Sequence, residues 1–134
     1  MIFSHLASPA FSYWSVHCAS GALAVALGAF GAHGLKGRGL DTRMLEVWDT
    51  GVRYQFVHSL LGLFAVMHRH VEVKSGSTHP ASHNYGSLLA GIGNLLFAGS
   101  LYGIVLTDIK KLGIITPIGG LLYIAAWLCV AADL

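Results

Sequence analysis

Four apolar segments, each about as long as a membrane-spanning helix, limit the fold of this sequence more than any other feature. They cover approximately residues 14–32, 51–68, 85–107 and 114–132. A helix needs about 20 apolar residues to cross the hydrocarbon core of a bilayer. Because lipid offers the backbone no hydrogen-bond partners, runs of this length are expected to be helical. The sequence therefore predicts an all-α fold, an integral membrane four-helix bundle formed by a single domain over residues 1–134.

The composition supports a membrane protein and excludes several other classes. Of the 134 residues, 54% are hydrophobic and only 10% are charged, whereas a soluble domain has about 25% charged residues. The net charge of +2 is too small, and too scattered along the chain, to predict a nucleic-acid partner. The two cysteines, Cys18 and Cys129, form no CxxC motif of a zinc or redox site.

The distribution of basic residues predicts the orientation in the membrane. The first twelve residues contain no Lys or Arg, which argues against a cleaved signal peptide and for a retained first span. The loops after spans one and three hold most of the basic residues, so the positive-inside rule places these loops in the cytoplasm or mitochondrial matrix. The termini are then expected in the periplasm or intermembrane space. Before the second span, "LDTRMLEVWDTGV" predicts a short amphipathic lead-in at the membrane interface.

Helical periodicity places small residues and a few polar ones on common faces of the spans. Small residues let membrane helices approach closely, and polar side chains hydrogen-bond between helices. Span three carries two small-residue faces, and the second, a GxxxG, suggests contact with another protein or a lipid. The predicted helix-packing and polar-core residues are Gly21, Ala24, Gly28, Gly31, Gln55, His58, Gly62, Asn94, Gly99, Gly103, Gly119 and Gly120.

Gln55 and His58 are the polar residues that most need an explanation, because they fall within an apolar span. Both share a face with glycines, and we expect them to hydrogen-bond across the bundle, with Asn94 and Tyr102 as candidate partners. The functional alternative for His58 is a proton relay or a ligand-binding group. Arg53 lies on another face, four residues after Asp49, and these two are predicted to form an ion pair at the interface.

Four blocks of sequence resemble one family. They are "ALAVALGAFGAHGL", "LEVWDTGVRYQFVHSLLGL", "LFAGSLYGIVLT" and "GIITPIGGLLYIAAW", and the second contains a W-x-T-x-x-x-Y-Q-x-x-H pattern that ends at His58. The chain resembles the small four-span proteins called transmembrane protein 256, or domain of unknown function 423. The resemblance implies a four-helix membrane bundle in bacterial plasma membranes or mitochondria. It implies no reaction, because the family has no established activity.

Cofactor and metal chemistry find little support in the residues. A b-type haem needs two axial ligands at one depth, and His58 is the one histidine expected near mid-membrane, so only a homodimer could supply both. His5, His17, His68, His70, His79 and His83 are expected on the terminal side as loop and interface histidines, without acidic or cysteine residues at zinc spacing. Cys18 and Cys129 are expected at similar depth. A disulfide is one alternative for them, and two buried free thiols are the other.

These observations predict a non-enzymatic protein without catalytic residues, cofactor or metal. The hypothesis is an accessory subunit of an inner-membrane complex, above all a mitochondrial respiratory one, or of the bacterial plasma membrane if the source is prokaryotic. The expected partners are membrane lipid, including a structural lipid, and other membrane-protein subunits. The alternative is a stand-alone carrier or proton-handling protein that uses His58.

Overall fold

The computed structural model describes residues 9–75 and 84–132, and within those two ranges every regular element is helical. The four long helices, named α1 to α4 in chain order, are Pro9–Ala29, Thr42–Ser75, Tyr85–Thr107 and Thr116–Ala132. The prediction of an all-α fold is thereby confirmed. The loop between α2 and α3 falls largely on residues 76–83, outside the described ranges, as do the histidines His5, His79 and His83.

Helices that are consecutive in the sequence are also neighbours in the bundle. Helix α1 packs mainly on α2, α4 packs mainly on α3, and α2 packs on α3 between them. Helix α3 ends at Thr107, and the next residue, Asp108, has a left-handed backbone (φ 57°) that lets its amide donate to the carbonyl of Ile104 at 2.8 Å. Helix α4 begins at Thr116 and has Pro117 in its first turn, where the missing amide hydrogen costs no helical hydrogen bond.

Helical geometry changes at three places that the sequence did not indicate. A π-helical turn, Phe30–Leu35, follows α1, and a second one, Asn94–Ala98, interrupts α3 at its middle. Short 3₁₀ turns cover Lys36–Arg38 and Lys110–Ile114. The predicted amphipathic lead-in is not a separate element. It forms the first turns of α2, which therefore runs for 34 residues without a break.

Three of the helical segments described are long and apolar enough to cross a membrane, Ser12–Arg38, Tyr85–Thr107 and Lys110–Ala132. Helix α2 is not among them, although the sequence predicts a span at residues 51–68. Its length is ample, but Arg53, Gln55 and His58 lie close together in the predicted span and lower its mean hydropathy. Length and composition alone therefore give three spans rather than the four predicted.

The bundle has an apolar outside and a partly polar inside. Large apolar side chains project outward from every helix, for example Val25, Leu60, Leu95 and Leu121. Soluble proteins seldom expose continuous apolar surfaces of this kind. Most of the buried positions are instead small or polar residues, an arrangement suited to lipid surroundings.

Candidate functional site

A cluster of polar side chains from three helices lies at the centre of the bundle. Asn94 of α3 donates from Nδ2 to the hydroxyl oxygens of Ser59 at 3.1 Å and Ser20 at 3.2 Å. These two hydroxyl oxygens, from α2 and α1, lie 2.8 Å apart. Ser59 also lies 2.7 Å from the carbonyl oxygen of Gln55 in the preceding turn. One amide thus joins three helices at a single point.

Gln55 extends this network to the end of the bundle where α2 begins. Its Nε2 donates to the carbonyl of Ser20 at 2.9 Å, and its Oε1 accepts a hydrogen bond from the hydroxyl of Tyr102 at 2.8 Å. The side chain therefore bridges α1 and α3 from its position on α2. Tyr102, in turn, packs against the indole of Trp48 with ring centroids 4.6 Å apart.

Trp48 ties the start of α2 to the end of α1. Its Nε1 donates to the carbonyl of Leu27 at 2.9 Å, and its ring is 2% exposed. A Cβ on Gly31 would lie 2.6 Å from this ring, so only a glycine there leaves room for the indole.

Helix α4 joins the network through aromatic residues. The hydroxyl of Tyr123 donates to Oδ1 of Asn94 at 2.8 Å, which occupies the remaining polar atom of that amide. A Cβ on Gly93 would lie 2.6 Å from the Tyr123 ring. The tyrosine therefore reaches the centre of the bundle across a glycine of α3.

His58 uses both ring nitrogens inside the bundle. Its Nδ1 lies 2.8 Å from the carbonyl of Tyr54, and its Nε2 accepts a hydrogen bond from Nε1 of Trp127 at 3.2 Å. Because a carbonyl only accepts and an indole only donates, these contacts assign a neutral ring with the proton on Nδ1. Of the two candidate partners predicted for Gln55 and His58, Tyr102 does bind Gln55, but neither residue hydrogen-bonds His58, since Asn94 binds serines and Tyr123 instead.

His17 is among the most enclosed polar side chains of the described residues, together with Ser59 and Ser87. It is 1% exposed, and its Nε2 lies 3.0 Å from both the carbonyl and the hydroxyl oxygen of Ser87. Its Nδ1 has no partner among the described atoms. The expectation of an interface histidine was wrong here, because Gly62 and Gly91 open a slot into which the ring fits.

The predicted small-residue positions fall into three groups. Ala24 is completely buried, and an added Cβ at Gly31, Gly62, Gly103 or Gly119 would collide with a neighbour. Gly21 and Gly120 have room for a Cβ, with neighbours at 3.9 and 3.8 Å, whereas at Gly28 the Val52 Cγ1 atom, at 3.3 Å, would have to shift slightly. Gly99 is exposed and has no atom within 4 Å of such a Cβ. The contact with another protein or a lipid that the sequence suggests for this face therefore stays a prediction, and within the described residues the GxxxG is open only at Gly99.

The charged and sulfur-containing residues lie outside the network. Arg53 Nη2 is 2.6 Å from Asp49 Oδ2, and both side chains are largely exposed. Cys18 and Cys129 are free. The disulfide alternative is wrong because these cysteines lie on α1 and α4, which pack against different neighbours. The buried-thiol alternative is wrong for Cys18, which is exposed.

Among the residues described, no three His, Cys, Asp or Glu side chains come close enough together to hold a metal ion. Haem ligation by His58 would require breaking its bond with Trp127, because a metal needs the same lone pair. The hydrogen bonds of these side chains join the four helices.

Sequence reasoning missed the serines and the aromatic residues of α4. Ser20 precedes Ala24 by four residues, and Ser59 follows Gln55 by four, so helical spacing already places each hydroxyl near a predicted inward residue. That spacing was the available signal. Trp127 offered none, because half of its side chain lies on the outer surface.

Comparison with known proteins places the chain among uncharacterised membrane proteins. The family described as "Protein of unknown function (DUF423)" matches residues 27–120. A UPF0382 membrane protein of Staphylococcus haemolyticus is 46% identical over 106 residues, covering 79% of this chain and 80% of its own. The UPF0382 membrane protein YwdK of Bacillus subtilis is 45% identical over 109 residues, covering 81% and 83%.

A eukaryotic relative is also similar. A UPF0382 membrane protein of Schizosaccharomyces pombe is 37% identical over 119 residues, covering 85% of this chain and 93% of its own. No solved structure matches the chain. The resemblance to the domain-of-unknown-function 423 family is confirmed. These descriptions give a membrane location and no activity.

Proposed function

The chain belongs to the family described as protein of unknown function DUF423, and we propose that it serves as a structural subunit of a larger membrane assembly. In this proposal it crosses the membrane four times and catalyses no reaction. The observation that carries the proposal is that the central polar groups bind one another. The side chains of Gln55, Asn94 and His58 have their hydrogen-bonding atoms engaged within the bundle. None is left to handle a substrate.

The burial pattern of α2 supports a fourth span despite its polar residues. Gln55 and His58 are each 5% exposed, so their polar atoms would not meet lipid. The outward positions of the same helix carry large apolar side chains, among them Phe56, Leu60 and Met67. At 1.5 Å per residue, a 34-residue helix is about 50 Å long, more than the roughly 30 Å hydrocarbon core.

With four spans, the basic residues favour one orientation. At one end of the bundle, the connection from α1 to α2, the first turn of α2 and the connection from α3 to α4 carry the basic residues Lys36, Arg38, Arg43, Lys110 and Lys111. The opposite end of α2 carries Arg69 and Lys74. The positive-inside rule then puts the first group in the cytoplasm or matrix and the termini on the other side.

Two features of the outer surface support association with other membrane proteins. Gly99 leaves an open position on α3, where the helix of a partner could approach closely. An apolar groove of about 640 Å³ also runs between α2 and α4, past Leu60, Phe64 and Trp127. Because relatives occur in Staphylococcus and Bacillus, which have no mitochondria, the proposal covers bacterial plasma membranes as well as the mitochondrial inner membrane.

The test is native-gel migration after mild digitonin extraction, with mass spectrometry of the band. Co-migration with a larger complex is expected, and the other proteins in the band identify that complex, including whether it is a respiratory one. Gly99→Leu should release the chain from the band while leaving its own thermal unfolding unchanged, and Leu95→Ala on the same surface is the control. Migration at the mass of a monomer or dimer contradicts the proposal and directs attention to carrier activity at His58.

A further inference from the structure

A second cavity, apart from the polar network, lies at the basic end of the bundle. It has a volume of about 650 Å³, is open to the outside, and is lined by the start of α2, the second half of α3, the 3₁₀ turn Lys110–Ile114 and the start of α4. Pockets of about 300–1,000 Å³ are typical of small-molecule sites. The network residues do not line this cavity. It therefore calls for an explanation beyond the proposed structural role.

The inner walls of the cavity are apolar. Phe97, Leu101 and Ile104 line it from α3, at spacings of four and three residues, which places them along one face of that helix. Met44 and Val47 face them from α2. A hydrocarbon chain fits these walls, whereas a polar solute would gain no hydrogen bond from them.

The mouth of the cavity is positively charged. Arg43 and Lys110 line it together with Asp41, so the local balance is one net positive charge. In the described part of the chain, neither basic side chain has an ion-pair partner. Arg53 differs, because Asp49 neutralises it, and Arg38 lies over the ring of Phe30 at 5.8 Å.

Side chains, rather than the amides at the start of α4, would bind an anion at this mouth. The amides of Ile118 and Gly119 already donate to the carbonyl of Ile115, at 3.1 and 3.2 Å. Pro117 has no amide hydrogen to offer. An anionic group would therefore depend on Arg43 and Lys110.

We propose that this cavity binds one anionic phospholipid, with its phosphate between Arg43 and Lys110 and one acyl chain along Phe97 and Leu101. The cavity extends from the end of α3 to a depth that matches the length of an acyl chain in one leaflet. Phe97 lies ten residues before the end of α3 at Thr107, a distance of about 15 Å, which is half of the roughly 30 Å hydrocarbon core. Basic pockets between membrane helices are suited to such head groups.

The test is native mass spectrometry of the full chain in a mild detergent, titrated with phosphatidylglycerol or with phosphatidylcholine of identical acyl chains. One phosphatidylglycerol is expected to bind saturably and to be displaced poorly by phosphatidylcholine or inorganic phosphate. The double variant Arg43→Gln/Lys110→Gln should weaken binding about thirtyfold, since each basic residue near a lipid phosphate contributes about fivefold. Arg38→Gln/Lys111→Gln, which removes the same charge at the same end of the bundle, should change binding less than about twofold.

A separate variant tests the acyl-chain part of the proposal. A Cβ on Gly113 would lie 3.7 Å from Ile104 Cδ1, an ordinary contact, so Gly113→Leu would project a side chain into the cavity. This variant should lower phosphatidylglycerol binding with the basic residues intact and thermal unfolding preserved. Any of four results would overturn the proposal. They are equal binding of the two lipids, equal loss of phosphatidylglycerol binding in the two double variants, displacement of phosphatidylglycerol by inorganic phosphate, and undiminished phosphatidylglycerol binding by Gly113→Leu. None of these results depends on whether the chain co-migrates with a larger complex.

Discussion

The imidazole ring of His58 stacks on the phenol ring of Tyr123, with centroids 3.5 Å apart and 13° between the planes. The Tyr123 hydroxyl then donates to Asn94, which binds Ser20 and Ser59. The histidine of α2 and the amide of α3 are therefore connected through one aromatic residue of α4. Through these contacts, each of the four helices contributes to one continuous polar and aromatic cluster.

Replacing His58 by Leu should destabilise the bundle without unfolding it. The change removes the acceptor for Trp127 and the stacking on Tyr123, and a hydrogen bond between membrane helices contributes about 0.6–2 kcal/mol. We expect a loss of about 1–2 kcal/mol, measured by thermal unfolding with circular dichroism in detergent. Met67→Leu, at an outward position of the same helix, is the control and should change the free energy of unfolding by less than about 0.5 kcal/mol. An unchanged melting temperature for His58→Leu would contradict the structural role.

Asn94→Ala should cost more than His58→Leu. It leaves the Tyr123 hydroxyl without its acceptor and removes the amide that joins Ser20 to Ser59. Leaving buried polar groups unpaired costs about 1–3 kcal/mol, and we expect a loss of about 2–3 kcal/mol in the same unfolding experiment. Leu95→Ala, one residue away and 73% exposed, should have little effect. Similar losses for these two variants would show that the interior position of Asn94 is wrong.

Gly119 and Gly120 provide a matched test of the contact between α3 and α4. A Cβ on Gly119 would overlap the backbone of Phe97, and backbone has no rotamer by which to move away. Gly119→Ala should therefore cost about 2–3 kcal/mol, within the range for overpacking. At Gly120 the Phe97 ring lies at 3.8 Å, so Gly120→Ala should be neutral or slightly stabilising. Equal responses in thermal unfolding would refute this packing.

The ion pair of Asp49 and Arg53 should contribute little to stability, although it is the shortest charged contact described, at 2.6 Å. Both side chains are more than half exposed, and exposed pairs contribute about 0.2–1 kcal/mol. Asp49→Asn should therefore change the free energy of unfolding by less than about 1 kcal/mol, and 1 M salt should reduce even that difference. A larger, salt-independent loss would indicate that the pair is shielded from water by something outside the chain.

Periodicity within one helix predicted which residues face inward, because that depends on the chain alone. Gln55, His58 and Asn94 are buried, as the 3.6-residue repeat of each span indicates. The partners of His58 were wrong because pairing also depends on the rotation and depth of α4, which brings Tyr123 and Trp127 to the ring. No pattern in a single sequence specifies how one helix is turned relative to another.

Two further differences have local causes. Gly99 and Gly103 both lie in the regular part of α3 that follows the π-helical turn, so they share a face; Gly103 is covered because Leu112, in the 3₁₀ turn Lys110–Ile114, lies over it, whereas Gly99 stays open. His17 appeared to be an interface histidine because its depth was judged from its position in the apolar segment. Its burial depends on Gly62 of α2, more than forty residues later in the chain, which leaves room for the ring.

Proton flux into liposomes tests the central claim, that the polar interior holds the helices together and transports nothing. The wild-type protein and His58→Leu would be reconstituted at equal amounts of folded protein and compared with protein-free vesicles, using an enclosed pH-sensitive dye and an imposed pH gradient. We predict the same slow leak in all three preparations, with His58→Leu differing only in its lower melting temperature. A wild-type flux well above that of empty vesicles, lost in a folded His58→Leu protein, would contradict this account and identify His58 as a proton-handling residue.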